Sequence, residues 1–249
     1  MPRQAREKCE NGIYHVMLRG VNRQQIFEEE QDFARFLQIL AECKLISGFE
    51  LYAYCLMGNH LHLLLKVQKE PLELLVKRIA TRYVYWYNTK YERSGHLFQD
   101  RFRSEPVKDR RYFLTVLCYI HQNPIKAGIC EDLDQYVYSS YREYKGESVL
   151  IDREFVYSLI SPDDLLQLLN RPIQENCLDV NDQITARRVT DEQARQMIEK
   201  HTKCKNVSDF EHLDVATRNK YLKLLKQQGL SIRQISRLTG ISFGIISRI

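Results

Sequence analysis

Hydrophobic positions in the first 150 residues change period several times, and each change predicts an element. Tyr14 to Arg19 (YHVMLR) is rich in β-formers and stops at Gly20, which predicts a first strand. Asp32 to Ile46 carries apolar residues at 33, 36, 37, 40 and 45, a helical stripe with Asp32 placed to cap it. Phe49 to Met57 and Leu61 to Val67 are two apolar runs around Gly58-Asn59, a hairpin signal; the second run can also start earlier, at the histidines. Leu72 to Tyr91 follows a long helical pattern, and Phe102 to Val107 reads as a short strand. Arg110 to Ala127 is a further helix, with an interruption expected near Pro124. The order β-α-β-β-α-β-α predicts an α+β, ferredoxin-like core, an antiparallel sheet with helices on one face.

Charge divides the chain further. Residues 1–150 hold 22 Lys+Arg and 19 Asp+Glu, residues 151–185 hold 2 and 7, and residues 186–249 hold 13 and 6. The signs predict a core over residues 1–148, an acidic connector over 149–185 and a basic module over 186–249. Pro162 and Pro172 fall inside the connector. A hydrophobic content of 44% excludes general disorder. No apolar run approaches the ~18 residues of a membrane span. MPRQAREKCENG lacks the apolar region of a signal peptide. Seven scattered cysteines without a C-x-x-C argue against a disulfide framework or zinc finger and fit a reducing cytoplasm.

The sharpest local feature is His60-Leu61-His62. On a strand, residues i and i+2 share a face, so the two imidazoles stand side by side, a pair able to bind a divalent metal. A bare H-x-H is equally the mark of two partly exposed histidines beside a turn. In YIHQNPIKAG, Tyr119 and Asn123 are four residues apart, about 400° of helical rotation, and share a face. If that face meets the histidine strand, the site gains a third metal ligand in Asn123 and a nucleophile in Tyr119. A phenol is a weak nucleophile that a metal-polarised phosphodiester can nonetheless accept. Fifteen tyrosines make packing the alternative role for Tyr119. His121 falls on the opposite side of the helix and stays outside this set.

NHLHLLL followed by YIHQNPIKAG resembles the HUH single-tyrosine transposases, and most closely the REP-associated tyrosine transposases. The resemblance covers about residues 10 to 145 and extends to GIYHVMLRGVNRQQIF, HLFQDRFRSEPV and YSSYREY, in the family's order. It implies a metal-dependent nuclease and strand transferase acting on single-stranded DNA, often with hairpin ends, through a 5′-phosphotyrosine. By position the family histidines fall on His60 and His62, its tyrosine on Tyr119, and the polar residue one turn later on Asn123, where relatives often carry Gln. Mg²⁺ or Mn²⁺ is the implied cofactor, and imidazole ligands suit Mn²⁺ better. The resemblance also allows two protomers to act together.

Basic residues cluster between 77 and 111, with Tyr83, Tyr85, Trp86, Tyr87 and Tyr91 interleaved. Arg78, Arg82, Arg101 and Arg103 are the candidates there for a phosphate backbone, the rings being either base-stacking platforms or core. Arg19, Asn22 and Arg23, after the first strand, are candidates for a hairpin foot. In the basic module, LSIRQISRLTGISFGIISRI fits a helix-turn-helix with Gly240 at the turn and Ile232, Ile235, Ile241, Ile246 and Ile249 packing inward. Arg233, Ser242, Phe243 and Ser247 are then candidates for duplex DNA, a protein-docking bundle being the alternative. Helices at about 190–203 and 214–228 complete the module. Three classes remain: a transposase-type enzyme located in the cytoplasm with the nucleoid, a non-catalytic DNA-binding regulator on the same fold, and an RNA-binding protein.

Overall fold

The apolar runs pair into one sheet. In the computed structural model, which describes residues 7, 9–99, 101–172, 177–178, 191–204, 209–210 and 212–249, β1 (Ile13–Arg19), β2 (Glu50–Leu56), β3 (His60–Lys66) and β4 (Arg103–Pro106) lie in the order β2-β3-β1-β4. All three pairings are antiparallel. Between β2 and β3 the hairpin turns at Gly58-Asn59, and Met57 N donates to His60 O across 2.8 Å. After β1 the chain folds back tightly at Gly20, where a Cβ would meet the Gln24 carbonyl oxygen at 2.2 Å, so glycine is required.

Register decides which side chains share a face. Arg19 pairs with His60 and Met17 with His62 across β1–β3, while Met17 pairs with Arg103 and His15 with Glu105 across β1–β4. Paired residues point to one side of a sheet, so His15, Met17, Arg19, His60, His62, Arg103 and Glu105 stand on one face.

Three long helices flank the sheet: α1 (Glu30–Ser47), α2 (Leu72–Lys90) and α3 (Arg110–Lys126). The expected helices on one face alone do not account for the strands, because β1, β2 and β3 are buried along nearly their whole length on both faces. Packed against each other, α1 and α2 bring Phe36, Leu40, Leu75 and Ile79 into the core that holds Val16, Leu18, Leu61 and Leu63. Helix α3 packs on β2 and β3 instead, with Tyr119 beside His62. Asp109 caps α3 by accepting from Tyr112 N at 2.8 Å. The interruption expected at Pro124 does not occur, and α3 runs on to Lys126. Proline removes one donor near the helix end, where Ala127 N still reaches Asn123 O at 2.9 Å.

The acidic stretch differs most from expectation. After α4 (Tyr141–Lys145), residues 149–172 dock on the core through α5 (Arg153–Leu159) and α6 (Pro162–Leu169), with Val156, Leu165 and Leu169 fully buried. Its acidic residues hold local structure: Asp152 accepts from Leu51 N at 2.8 Å and pairs with Lys44, and Asp163 and Asp164 lie in the first turn of α6. Residues 138–140 and 152 also close the free side of β2, with Leu56 N to Tyr138 O, Ser140 N to Tyr54 O and Asp152 N to Leu51 O. The chain divides into units 1–183 and 184–249, and the boundary expected at 185–186 lies outside the described residues.

The second unit contains α7 (Asp191–Thr202), α8 (Val215–Gln227), α9 (Ile232–Thr239) and α10 (Phe243–Arg248). Its core joins Ile198, Phe210, Leu222, Leu225, Ile235, Ile241 and Ile246. Gly240 joins α9 to α10 with φ of 74°, a left-handed conformation that favours glycine. Ser242, at the N-cap of α10, and Phe243 and Ser247 on it are exposed, and Arg233 lies over the Phe243 ring at 5.8 Å.

Candidate active site on the sheet

Strand β3 and helix α3 bring the two sequence motifs together. The His62 and Tyr119 ring centres are 5.9 Å apart, and those of His60 and His62 5.2 Å. Asn123 follows Tyr119 by one turn and is buried, its side-chain amide donating back to the Tyr119 carbonyl at 3.0 Å. Lys126, nearly two turns on, holds its ammonium 4.4 Å from the Tyr119 ring centre. All these groups come from one chain. His121 lies apart, donating from Nδ1 to Leu117 O at 2.8 Å and accepting from Ser140 Oγ at 2.8 Å. Burial holds His121 down to about 4, so it is a neutral packing residue.

A third histidine joins the pair. His15 on β1 is fully buried, with Nε2 2.9 Å from His62 Nδ1 and Nδ1 3.0 Å from Glu105 Oε1. Burial pushes His62 well below the usual imidazole range, and the neighbouring His15 and His60 push the same way. Burial would raise Glu105, but hydrogen bonds from His15 and Tyr112 outweigh it and keep the carboxyl below its ordinary value. Neither His15 nor Glu105 was among the sequence candidates. The available signal was parity: His15 is two strand positions from Met17 and four from Arg19, and Glu105 is two from Arg103.

The donor set suits a cation with mixed ligands. His62 Nε2 is buried without a hydrogen-bond partner. His60 Nδ1 donates to Asn59 Oδ1 at 2.6 Å, which leaves its lone pair on Nε2. Among the described residues no three His, Cys, Asp or Glu side chains converge as a metal site. A cation here therefore needs oxygen beyond the two imidazoles, and Asn123, one helical turn after Tyr119, carries a side-chain carbonyl of the right kind. Two nitrogens favour Mn²⁺ over Mg²⁺.

The candidate nucleic-acid residues separate into two groups. Arg19, Arg101 and Arg103, with Met17 and Gln99, line a cavity of about 220 Å³ on the side of the sheet that carries His62. Asn22 and Arg23 are exposed in the turn after β1, both left-handed with φ of 50° and 58°. Arg78 and Arg82 instead fasten α2 to neighbouring acids. Arg78 grips both oxygens of Glu70 and also reaches Ser47 Oγ, while Arg82 meets Glu42 Oε2 at 3.1 Å. Carboxylates 8 and 40 residues away in sequence hold them. Tyr83 and Tyr87 are fully buried and donate to Ile26 O and Gln25 O, so they are core; Tyr85 is 76% exposed.

Comparisons with known proteins bear on the family and the fold. Residues 8–123 match the model of the family described as Transposase IS200 like. A Haemophilus influenzae protein described as a REP-associated tyrosine transposase is 30% identical over 112 residues, which cover 40% of this chain. The match spans 63% of that relative, less than two thirds of its length. The solved structure of a REP-associated tyrosine transposase bound to a REP hairpin superposes with a TM-score of 0.54 at 15% identity, covering 75% of this chain and all of that one. Through residues 8–123 this chain is related in sequence to the IS200-like transposases, and it shares the fold of a REP-associated tyrosine transposase.

Proposed function

We propose that the first unit is a metal-dependent single-strand DNA endonuclease and strand transferase that works through a 5′-phosphotyrosine and recognises hairpin ends. The observation that carries this reading is the Tyr119 ring lying 5.9 Å from that of His62, whose buried Nε2 has no hydrogen-bond partner. His60, His62 and Asn123 would hold Mg²⁺ or Mn²⁺. When bound, the cation polarises a phosphoryl oxygen and offsets developing charge. Tyr119 gives up its proton and its oxygen bonds to phosphorus as the P–O3′ bond breaks. One DNA end leaves as a 3′-OH and the other stays on the tyrosine as a 5′-phosphate. Attack by a second 3′-OH reverses the step and joins new ends. Arg19, Arg101 and Arg103 hold the strand's phosphates in the cavity they line on the His62 side of the sheet. Tyr119 and His62 stand side by side within one chain, so cleavage in cis is the expected arrangement. The setting is the bacterial cytoplasm, where chromosomal hairpins are accessible.

The test is incubation of end-labelled single-stranded hairpin oligonucleotides with the protein and Mn²⁺, against the same mixture with EDTA. A metal-dependent protein–DNA band that survives denaturing electrophoresis supports the reading. Hairpin binding with no adduct in Mn²⁺ points to the regulator instead.

For the second unit we infer duplex DNA binding through α10 and Arg233. Arg233→Ala is expected to weaken duplex binding and lower the slope of log affinity against log salt by about 1, as for one lost phosphate contact. Titrations at several salt concentrations read this directly, and an unchanged slope rejects Arg233 as a contact.

A further inference from the structure

The row Glu105–His15–His62 crosses three strands and ends at the site. His15 sits between the other two, fully buried, its ring centre 5.1 Å from that of His62. Glu105 Oε1 also accepts from Tyr112 Oη at 2.6 Å and from Leu178 N at 3.1 Å, so the carboxylate is held in place from three directions. An ionised carboxylate can only accept. The proton on His15 Nδ1 therefore points to Glu105, and a neutral His15 turns a lone pair on Nε2 toward His62. His62 must then carry its own proton on Nδ1, donated to His15, and its Nε2 is bare.

We propose that His15 and Glu105 are positioning residues that lock His62 in the tautomer presenting an unprotonated Nε2 to the metal. The inference rests on the metal reading given above. A histidine bound to metal through one nitrogen gains orientation and basicity when the other donates to a fixed acceptor. Here the acceptor is a second imidazole, itself fixed by a carboxylate. The tautomer is otherwise poorly chosen for a ligand, because a free histidine side chain prefers its proton on Nε2. The same row in another proton arrangement makes the opposite site. With both protons on His15, His62 Nδ1 accepts, Nε2 carries hydrogen, and no cation can bind there. His60 is fixed separately by Asn59, so the two ligands are set by independent acceptors.

Long-range nitrogen–proton NMR on the full-length, metal-free protein decides between the arrangements. Selective ¹⁵N-histidine labelling, with His62→Gln to assign the signal, is expected to show His62 protonated on Nδ1 with Nε2 resonating as a bare nitrogen. A proton on Nε2 of wild-type His62 overturns the proposal, whatever the protein does with metal. In His15→Phe, which keeps the ring and loses the acceptor, His62 is expected to shift toward the Nε2–H form. Mn²⁺ affinity by electron paramagnetic resonance is expected to fall about 10- to 100-fold. His15→Gln, which retains both an acceptor for His62 and a donor for Glu105, is expected to restore the Nδ1–H form and most of the affinity. Near-ultraviolet circular dichroism confirms that both variants are folded. An unchanged tautomer in folded His15→Phe, or equal Mn²⁺ loss in the Phe and Gln variants, also overturns the proposal. Failure of the wild-type protein to bind Mn²⁺ while His62 shows the predicted tautomer removes the metal reading and leaves the lock itself established.

Discussion

Tyr119→Phe is expected to abolish the covalent DNA adduct and to slow strand cleavage by at least ~10³-fold, as loss of a nucleophile does in other covalent enzymes. The substitution removes one oxygen and keeps the ring that packs against His15, His62 and Lys126. Fold and hairpin affinity should therefore be unchanged, and the loss should appear in the chemical step alone. Adduct formation by denaturing electrophoresis, with hairpin binding as the control, measures both. The chain holds 15 tyrosines, so a surviving adduct would mean that another hydroxyl attacks and that Tyr119 is a packing residue.

Asp32→Ala is expected to lower the unfolding free energy by about 3–5 kcal/mol, the range for breaking a buried ion pair from one side. Asp32 is fully buried. It accepts from Glu28 N at 2.6 Å and Glu29 N at 3.0 Å, from Tyr91 Oη at 2.7 Å and from Lys90 Nζ at 2.6 Å. Alanine leaves two backbone donors and a phenol without their acceptor and takes from the Lys90 ammonium one of its two carboxylates, Glu29 Oε1 remaining at 2.5 Å; the phenol and the ammonium belong to the far end of α2. Asp32→Asn keeps an acceptor and should cost less. Urea unfolding followed by circular dichroism gives both values. A cost below about 1 kcal/mol for Asp32→Ala, the size of a surface pair, would show that water replaces the carboxylate there.

Asp32 also shows what sequence can and cannot convey. Its place at the start of α1 was legible, but it is not the cap. Glu29 is the cap, and Asp32 completes the reciprocal box at the third helical position. Its bonds to Lys90 and Tyr91, 58 and 59 residues away, have no local trace. The same limit explains the other differences. Arg78 and Arg82 looked like a DNA surface because their nearest acids in sequence did not reveal Glu70 and Glu42 as partners. The stretch after residue 149 looked like a connector because charge was counted without the Leu165 and Leu169 stripe that docks it. His60, His62 and Tyr119 were legible because each rests on a local period, two for the strand and about 3.6 for the helix. His15 was not, since joining it to His62 requires the pairing of strands 47 residues apart.

The borders of the sheet bear on how copies of the protein can meet. On one side, the peptide groups of β2 are already taken by residues 138–140 and 152. On the other, β4 has four residues, carries Arg103 and Glu105, and ends in Pro106, which has no hydrogen to donate. Among the described residues, neither border offers a second copy a long row of free peptide groups to extend. Both features work against merging two sheets into one continuous ribbon, the route by which exposed strands recruit further chains into dimers and fibrils. Any pairing of protomers through this sheet would have to use side chains instead, and side-chain contacts are more easily undone than a shared ladder.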